Sequence, residues 1–411
     1  MSTAEAPEPR AIEQAKELML RFAERTGVTS GSASQRYLWT DAFAVCNFLG
    51  LAQETGEQRY TELALLLVDQ VHHVLGRYRD DDSRTGWISG LDERDGEMHP
   101  TRGGLRIGKA RPERGVSEPV DEQLEWHRDG QYFHYLTKWM HALDQVSRWT
   151  GQPQFNIWAR ELASVAHDAF ARTTRGGRRM VWKMSTDLSR PLVSSTGHHD
   201  PLDGFITCIQ LRSTRSAFPD AADGPALNEA VLDFTRMIEG QDWATTDPLG
   251  LGGLLVDAAR AAQLIHFRSV NLRELLRKLL DDALLGLAHY ARQGQSSEAA
   301  SQRLAFRELG LAIGLSAIEL IEEIGNTEQR SPGRAEAQER IAQLQHYVPI
   351  GSKIESFWLE PEHRATRTWS EHRDINDVML ATSLSPAGFL IMGGRSTGVP
   401  RGARVHARNG S

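Results

Sequence analysis

A closed double ring of α-helices, six inside and six outside, is the all-α fold this sequence predicts. Three observations point to it. Twelve helical segments follow one another between about residues 10 and 392. Their character alternates: odd-numbered segments carry charge along one face, even-numbered ones are rich in Gly, Ala and aromatic residues with few charges past the first turn. No alternating apolar run between them reads as a strand. Charged-face and all-apolar helices in strict alternation are what outer and inner layers of such a ring require. An open helical solenoid is the competing architecture.

The segments justify themselves in order. The first, AIEQAKELMLRFAERTG, places Ile12, Ala15, Leu18 and Phe22 at helical spacing and stops at Gly27. RYLWTDAFAVCNFLGLAQETG is the second, QRYTELALLLVDQVHHVLGRY the third. A long polar stretch over about 79–127 holds Trp87, His99 and Trp126, and a loop of that length is usually functional or disordered. DGQYFHYLTKWMHALDQVSRWTG and QFNIWARELASVAHDAFAR are the fourth and fifth. The loop 173–200 then enters PLDGFITCIQLRSTRSA, where Pro201 suits a first helical turn and Asp200 is placed to cap it. ALNEAVLDFTRMIEG, LGGLLVDAARAAQLIHF, LRELLRKLLDDALLGLAHYARQ, QRLAFRELGLAIGLSAIELIEEIG and GRAEAQERIAQLQHY follow. After a loop at 348–370 with Trp358 and Trp369, EHRDINDVMLATSL is the twelfth, ended near Pro386. Residues 1–9 and the basic tail 393–411, with Arg395, Arg401, Arg404 and Arg408, are expected to be disordered.

Bulk properties narrow the function. The net charge of −7 argues against a general nucleic-acid binder. No apolar run approaches the roughly 20 residues of a membrane span, and the N-terminus lacks the features of a secretory signal. Cys46 and Cys208 both lie in apolar helical patterns and read as reduced, buried thiols of a cytoplasmic protein, with neither a disulfide nor a catalytic role. No P-loop, strand-following GxGxxG, HExxH or CxxC is present, and neither cofactor nor metal is expected.

The chemistry-bearing residues gather where the even-numbered helices begin. Asp41 and Trp39 open the second helix, Trp126, His127 and Asp129 the fourth, His198, His199 and Asp203 the sixth. Arg307 lies in the tenth, and His372, Arg373 and Asp377 open the twelfth. Two polar stripes, Gln131, His134 or Tyr135, and Lys138 on the fourth helix and Asp203, Thr207, Gln210 and Thr214 on the sixth, need water or a ligand to face. Asp41, His134, His199, Asp203 and Asp377 are the expected catalytic group, with Asp203 first and His199 second. Trp39, Trp87, Trp126, Trp182, Lys183 and the rim residues His127, Asp129, His198, Arg307, His372 and Arg373 are expected to bind substrate. Each has a plainer reading: the aspartates as caps or dipole partners, the histidine pair as loop structure, the helix-borne tryptophans as core.

In helix count and alternation the chain resembles the (α/α)6 toroid proteins, the six-hairpin glycosidases and the N-acylglucosamine and cellobiose 2-epimerase type enzymes. The resemblance covers about residues 10–392 and is architectural. It implies a substrate funnel at one end of the inner ring, lined by aromatic residues with carboxylates or histidines. The resulting expectation is an enzyme acting on a carbohydrate-like small molecule by acid/base chemistry. Paired carboxylates would make it a glycoside hydrolase or lyase; histidines near neutral pKa would make it a sugar epimerase or isomerase. A non-catalytic toroid that binds a small molecule or protein partner is the alternative.

Overall fold

The computed structural model describes residues 9–30, 34–174, 177–193, 195–217, 223–268, 270–293, 298–327 and 334–393. Of the ends expected to be disordered, residues 1–9 and 393–411, all but Pro9 and Gly393 lie outside the described residues, and Pro9 opens the first helix. The long helices are α1 (Pro9–Arg25), α2 (Leu38–Thr55), α3 (Gln58–Leu75), α4 (Phe133–Thr150), α5 (Pro153–Phe170), α6 (Asp200–Ala217) and α7 (Asn228–Ile238). They continue as α8 (Pro248–Arg268), α9 (Arg273–Arg292), α10 (Ala305–Thr327), α11 (Arg334–Gln345), α12 (Val348–Leu359) and α13 (Arg373–Leu384).

The inner ring closes. Helix α2 packs on α4, α4 on α6, α6 on α8, α8 on α10, α10 on α13, and α13 returns to α2. Outside it, α1 rests on α2 and α13, α3 on α2 and α4, α5 on α4 and α6, and α12 on α10 and α13. Helix α7 covers α6, α9 covers α8, and α11 packs on α9 and α10. Inner helices run apolar all round because they are buried all round: every residue from Leu38 to Ala52 of α2 is buried. Outer helices bury one stripe, such as Leu67, Val68, Val71 and Leu75 of α3.

Two parts differ from the sequence expectation. The segment 348–370 is a helix, α12, followed by the short helices Pro361–Arg364 and Arg367–Ser370. Helix α12 fills the sixth outer position between α10 and α13, so Trp358 and Trp369 are core residues, not rim aromatics. The Trp358 indole N–H donates to Glu308 Oε2 at 2.8 Å, and Glu308 is itself paired with Arg303. Pro349 sits in the first turn, where proline is tolerated, so it is no barrier to a helix. The long loops also carry short strands. β2 (Ala171–Thr174) pairs antiparallel with β3 (Gly177–Met180), and β1 (Gln131–Tyr132) with β4 (Lys183–Met184).

Helices α8 and α10 approach through glycine. A Cβ on Gly252 would lie 2.0 Å from the Gly310 carbonyl oxygen, and one on Gly314 would lie 2.5 Å from the Gly252 Cα. Backbone cannot yield as a flexible side chain does. Gly252→Ala is therefore expected to destabilise the protein by about 1–3 kcal/mol, the usual result of overpacking. Urea unfolding checks this, with Gly253→Ala, which meets nothing within 4 Å, as the unaffected control.

Candidate functional site

The inner helices begin at a common end, and there the aromatic residues of α2 and α4 meet Trp182 of the loop before α6. The Tyr132 ring lies nearly parallel to Trp182 (4.8 Å, 12°) and to His134 (5.4 Å, 18°). Trp39 faces His134 at 6.0 Å and Tyr135 at 5.4 Å. The Tyr37 and Tyr135 hydroxyls share a hydrogen bond of 2.7 Å. Trp126 leans on Trp182 at 4.8 Å and is more than half exposed, which makes the pair a rim.

Three buried polar atoms in this cluster have no hydrogen-bond partner among the described residues: Trp39 Nε1, Tyr132 Oη and Asp200 Oδ2. Leaving such groups unpaired costs about 1–3 kcal/mol each. A donor, a hydroxyl and a carboxyl acceptor around one histidine suit a hydroxyl-rich ligand.

Asp200 does not cap α6 through the interaction expected of it. Its carboxyl lies against Gly197, where a Cβ would come within 2.2 Å of Oδ2, and its Oδ1 is 4.0 Å from His134 Nδ1. Burial, reinforced by the negative charge of Asp203 and opposed by Lys138, pushes Asp200 up to about 7. Burial, helped by the Lys138 cation, pushes His134 down, so its imidazole is neutral at physiological pH.

Asp203 occupies a different role from the one expected. Its Oδ2 accepts from Thr137 (2.5 Å) and Lys138 (2.6 Å), its Oδ1 from Arg260 (3.0 Å) and Thr207 (3.5 Å). Although burial opposes ionisation, the two cations and these hydrogen bonds hold its carboxyl well below the usual range. A carboxylate with all its acceptor positions engaged anchors Lys138 and Arg260 and is poorly placed to exchange a proton. Arg260 also holds Asp257 (2.9 Å), which burial and the charge of Asp203 raise to about 6. The stripe of α6 thus faces Thr137, Lys138, His141 and Asp144 of α4, and Arg260, across the lumen, whereas Gln131 lies before α4 and holds the loop at Gly103, Leu105 and Thr186.

The remaining expected residues divide. His199 stands beside the site, its Nε2 2.9 Å from the Trp243 carbonyl, and His198 takes the Asp242 carbonyl at 2.6 Å. Asp41 faces away from the group: it accepts the Tyr37 backbone N–H at 2.8 Å and lies 3.5 Å from Arg36. Asp377 pairs with Arg25 of α1 at 2.9 Å. Neither joins His134, because on each helix the lumen-facing positions are others; on α2 they are Trp39 and Phe43. Trp87 is buried on the flank of α3, stacked under Arg77 and beside His73, and is not a wall of the site. Asp129 holds the 106–109 turn through Arg106 (2.6 Å) and the Gly108 N–H (3.0 Å). Lys183 is fully buried against Glu125 and the Arg128 carbonyl, so it braces the loop and meets no substrate. Arg307 pairs with Asp247, while His127, His372 and Arg373 are exposed at the surface. Among the described residues no group of three or more His, Cys, Asp or Glu is placed to hold a metal ion, and no helix is long and apolar enough to cross a membrane.

Asp200, Tyr132, Asp257 and Arg260 are the site-region residues that sequence reasoning missed. Asp257 and Arg260 had a signal: an acid and a base three apart in an otherwise apolar inner helix.

No protein-family model and no curated protein matches the sequence. Solved structures do. The GH76A α-1,6-mannanase from Salegentibacter sp. HEL1_6 superposes with a TM-score of 0.50 at 11% identity, covering 92% of this chain and 99% of that one. A D-mannose isomerase does so with a TM-score of 0.50 at 10% identity, covering 94% and 100%. The fold is the (α/α)6 toroid.

Proposed function

We propose that this protein is a sugar-acting enzyme that moves a proton beside a carbonyl, with His134 as base and Asp200 as acid. The observation that carries the reading is the pair itself: His134 Nδ1 4.0 Å from a buried carboxyl whose Oδ2 has no partner, with burial and the charge of Asp203 pushing that carboxyl up to about 7. Acid/base catalysts work best near their operating pH. On an open-chain aldose, His134 takes the C2 proton while the Asp200 carboxylic acid protonates the carbonyl oxygen, giving an enediol. Imidazolium then returns the proton to C1 while the Asp200 carboxylate takes the O2 proton, which yields the ketose. Trp39 Nε1 and Tyr132 Oη, buried and without a partner among the described residues, are the groups a sugar hydroxyl would satisfy on entering this cluster. Both structural neighbours are named for mannose or mannan, which makes D-mannose the first sugar to try.

Hydrolysis is the second reading. It is favoured by the opposite shifts of Asp200 and Asp203 on one helical turn, a pattern that separates acid from base. The engaged oxygens of Asp203 weigh against it. Incubation with D-mannose and with α-1,6-mannotetrose, followed by chromatography, separates the readings. New monosaccharide from D-mannose, lost by at least about 100-fold in His134→Ala, supports proton transfer. Shortened oligomers alone support hydrolysis, and sugar binding without turnover would leave a non-catalytic toroid.

A further inference from the structure

A cleft opens on the outer flank of the ring, away from His134, between α3, α5 and the short helix Glu93–Met98. Its volume is about 260 Å³, room for a molecule of one ring. Leu65, Val68, Asp69 and His72 reach it from one face of α3, as helical spacing requires. Trp87, Phe155 and Trp158 supply aromatic walls. The inner wall presents an unused donor. His72 is 3% exposed, and the Trp139 indole N–H donates to its Nε2 at 3.2 Å. Burial, helped by His73, pushes the His72 imidazole down to about 3, so it is neutral. A neutral imidazole that accepts at Nε2 carries its proton on Nδ1. Among the described residues no acceptor takes that N–H.

The mouth is acidic. The Asp69 and Glu97 side chains line it and are half or more exposed. They share His73, whose Nε2 is 2.9 Å from Glu97 and whose Nδ1 is 3.4 Å from Asp69. Arg77 is committed to Glu93 and stands 4.0 Å from Glu97, its guanidinium 4.4 Å from the centre of the Trp87 ring. Two lining carboxylates against one histidine leave a negative edge, and the Arg77 contact shows an indole of this cleft already holding a cation. The rings make no platform for a pyranose, which stacks on one flat face. Trp158 meets His72 at 85° and Phe155 at 89°, and perpendicular rings form a corner.

We propose that this flank cleft is a second binding site, for a small hydroxyaryl-alkylamine: its ring lies in the aromatic corner, its oxygen accepts from His72 Nδ1, and its ammonium lies at Asp69 and Glu97. The site goes beyond the sugar reading and does not depend on it. It gives a place to Trp87, which stands apart from the His134 cluster.

Ligand-observed NMR titrations of the full chain with three probes test it. Tyramine has the ring, the oxygen and the ammonium. Phenethylamine lacks the oxygen, and para-hydroxyphenylpropionate carries a carboxylate in place of the ammonium. Tyramine is expected to bind with a Kd of about 0.1–5 mM, the range open to a ligand of so few atoms. Phenethylamine should bind about threefold to tenfold more weakly, the worth of one hydrogen bond. The propionate should bind at least about tenfold more weakly, because it meets two exposed carboxylates instead of pairing with them. Asp69→Asn/Glu97→Gln should weaken tyramine by about threefold to tenfold and narrow its lead over the propionate. Leu65→Trp fills the cleft and should abolish tyramine binding. If that variant does not fold, Gln152→Trp, an exposed substitution at the mouth, is read in the same way. Tyramine that binds a folded plugged variant as tightly as the wild type overturns the site. So does a propionate that binds as well as tyramine, and so does a wild type that binds no tyramine.

Discussion

Asp200→Asn is expected to abolish turnover and, above pH 7, to make the protein more stable than the wild type. The loss of activity follows from chemistry: an amide keeps the shape and a hydrogen-bond donor but gives up no proton, and general acid catalysis contributes about 10²–10⁴-fold. The gain in stability follows from linkage. The folded-state pKa of Asp200 is raised from 3.8 to about 7, so the folded protein binds this proton more tightly than the unfolded chain. Stability is then greatest below the unfolded pKa, falls as pH rises from about 4 to about 7, and stays lower above it. A rise of that size is equivalent to as much as about 4 kcal/mol. Asparagine has no proton to lose, so the variant escapes that penalty. Guanidinium unfolding at pH 4, 6 and 8 should show the two proteins converge at the acid end and separate at the alkaline end. Wild-type kcat/KM should fall through pH 7 for the same reason, since the acid must be protonated. A variant that keeps its turnover, or is equally destabilised at every pH, removes Asp200 from the mechanism.

The fold was legible in the sequence because burial leaves a periodic mark. An inner helix is apolar on every side and an outer helix on one, and twelve alternations of that kind leave few architectures. The site was less legible, for reasons particular residues show. Asp41 and Asp203 share an early position in an inner helix, yet one turns outward to Arg36 and the other inward to Lys138 and Arg260. Helical phase relative to the ring axis decides this, and the sequence sets that phase only through packing. Asp200 was hidden by its resemblance to a cap, since Asp before Pro at a helix start is ordinarily one. Its lack of a partner is a three-dimensional fact. Trp358 and Trp369 misled for the opposite reason: Pro349, Pro361 and the charged short helices that follow α12 read as loop and concealed a buried inner edge. Tyr37 and Tyr135 lie far apart in the chain, and only ring closure brings their hydroxyls to 2.7 Å.

Asp203→Asn is expected to cost about 3–5 kcal/mol of stability at neutral pH, far more than a lumen-surface carboxylate would. The sequence alone suggests a substitution that leaves the melting temperature within a few degrees; the structure revises that. Asp203 is 4% exposed and is the shared anion of Lys138 and Arg260, both drawn out of water toward it. Neutralising it leaves the two cations facing the buried acids Asp257 and Asp200, which are already raised to about 6 and about 7. Asparagine still accepts from Thr137, but it turns a donor toward one of the cations. The pH dependence has the opposite sign to that of Asp200. The Asp203 carboxyl is held well below its ordinary 3.8, so its contribution is complete above that value and is lost as the solution is acidified below it. Wild type should therefore exceed the variant by several degrees in melting temperature at pH 7, and the margin should persist at pH 4 and narrow only as the pH is taken well below 3.8 toward the depressed pKa of the folded carboxyl. Restoring a negative charge as Asp203→Glu should recover part of the loss, because charge matters more here than exact shape. Should Asp203→Asn melt with the wild type at pH 7, Lys138 and Arg260 are balanced elsewhere, and the lumen network is not what holds α4, α6 and α8 together.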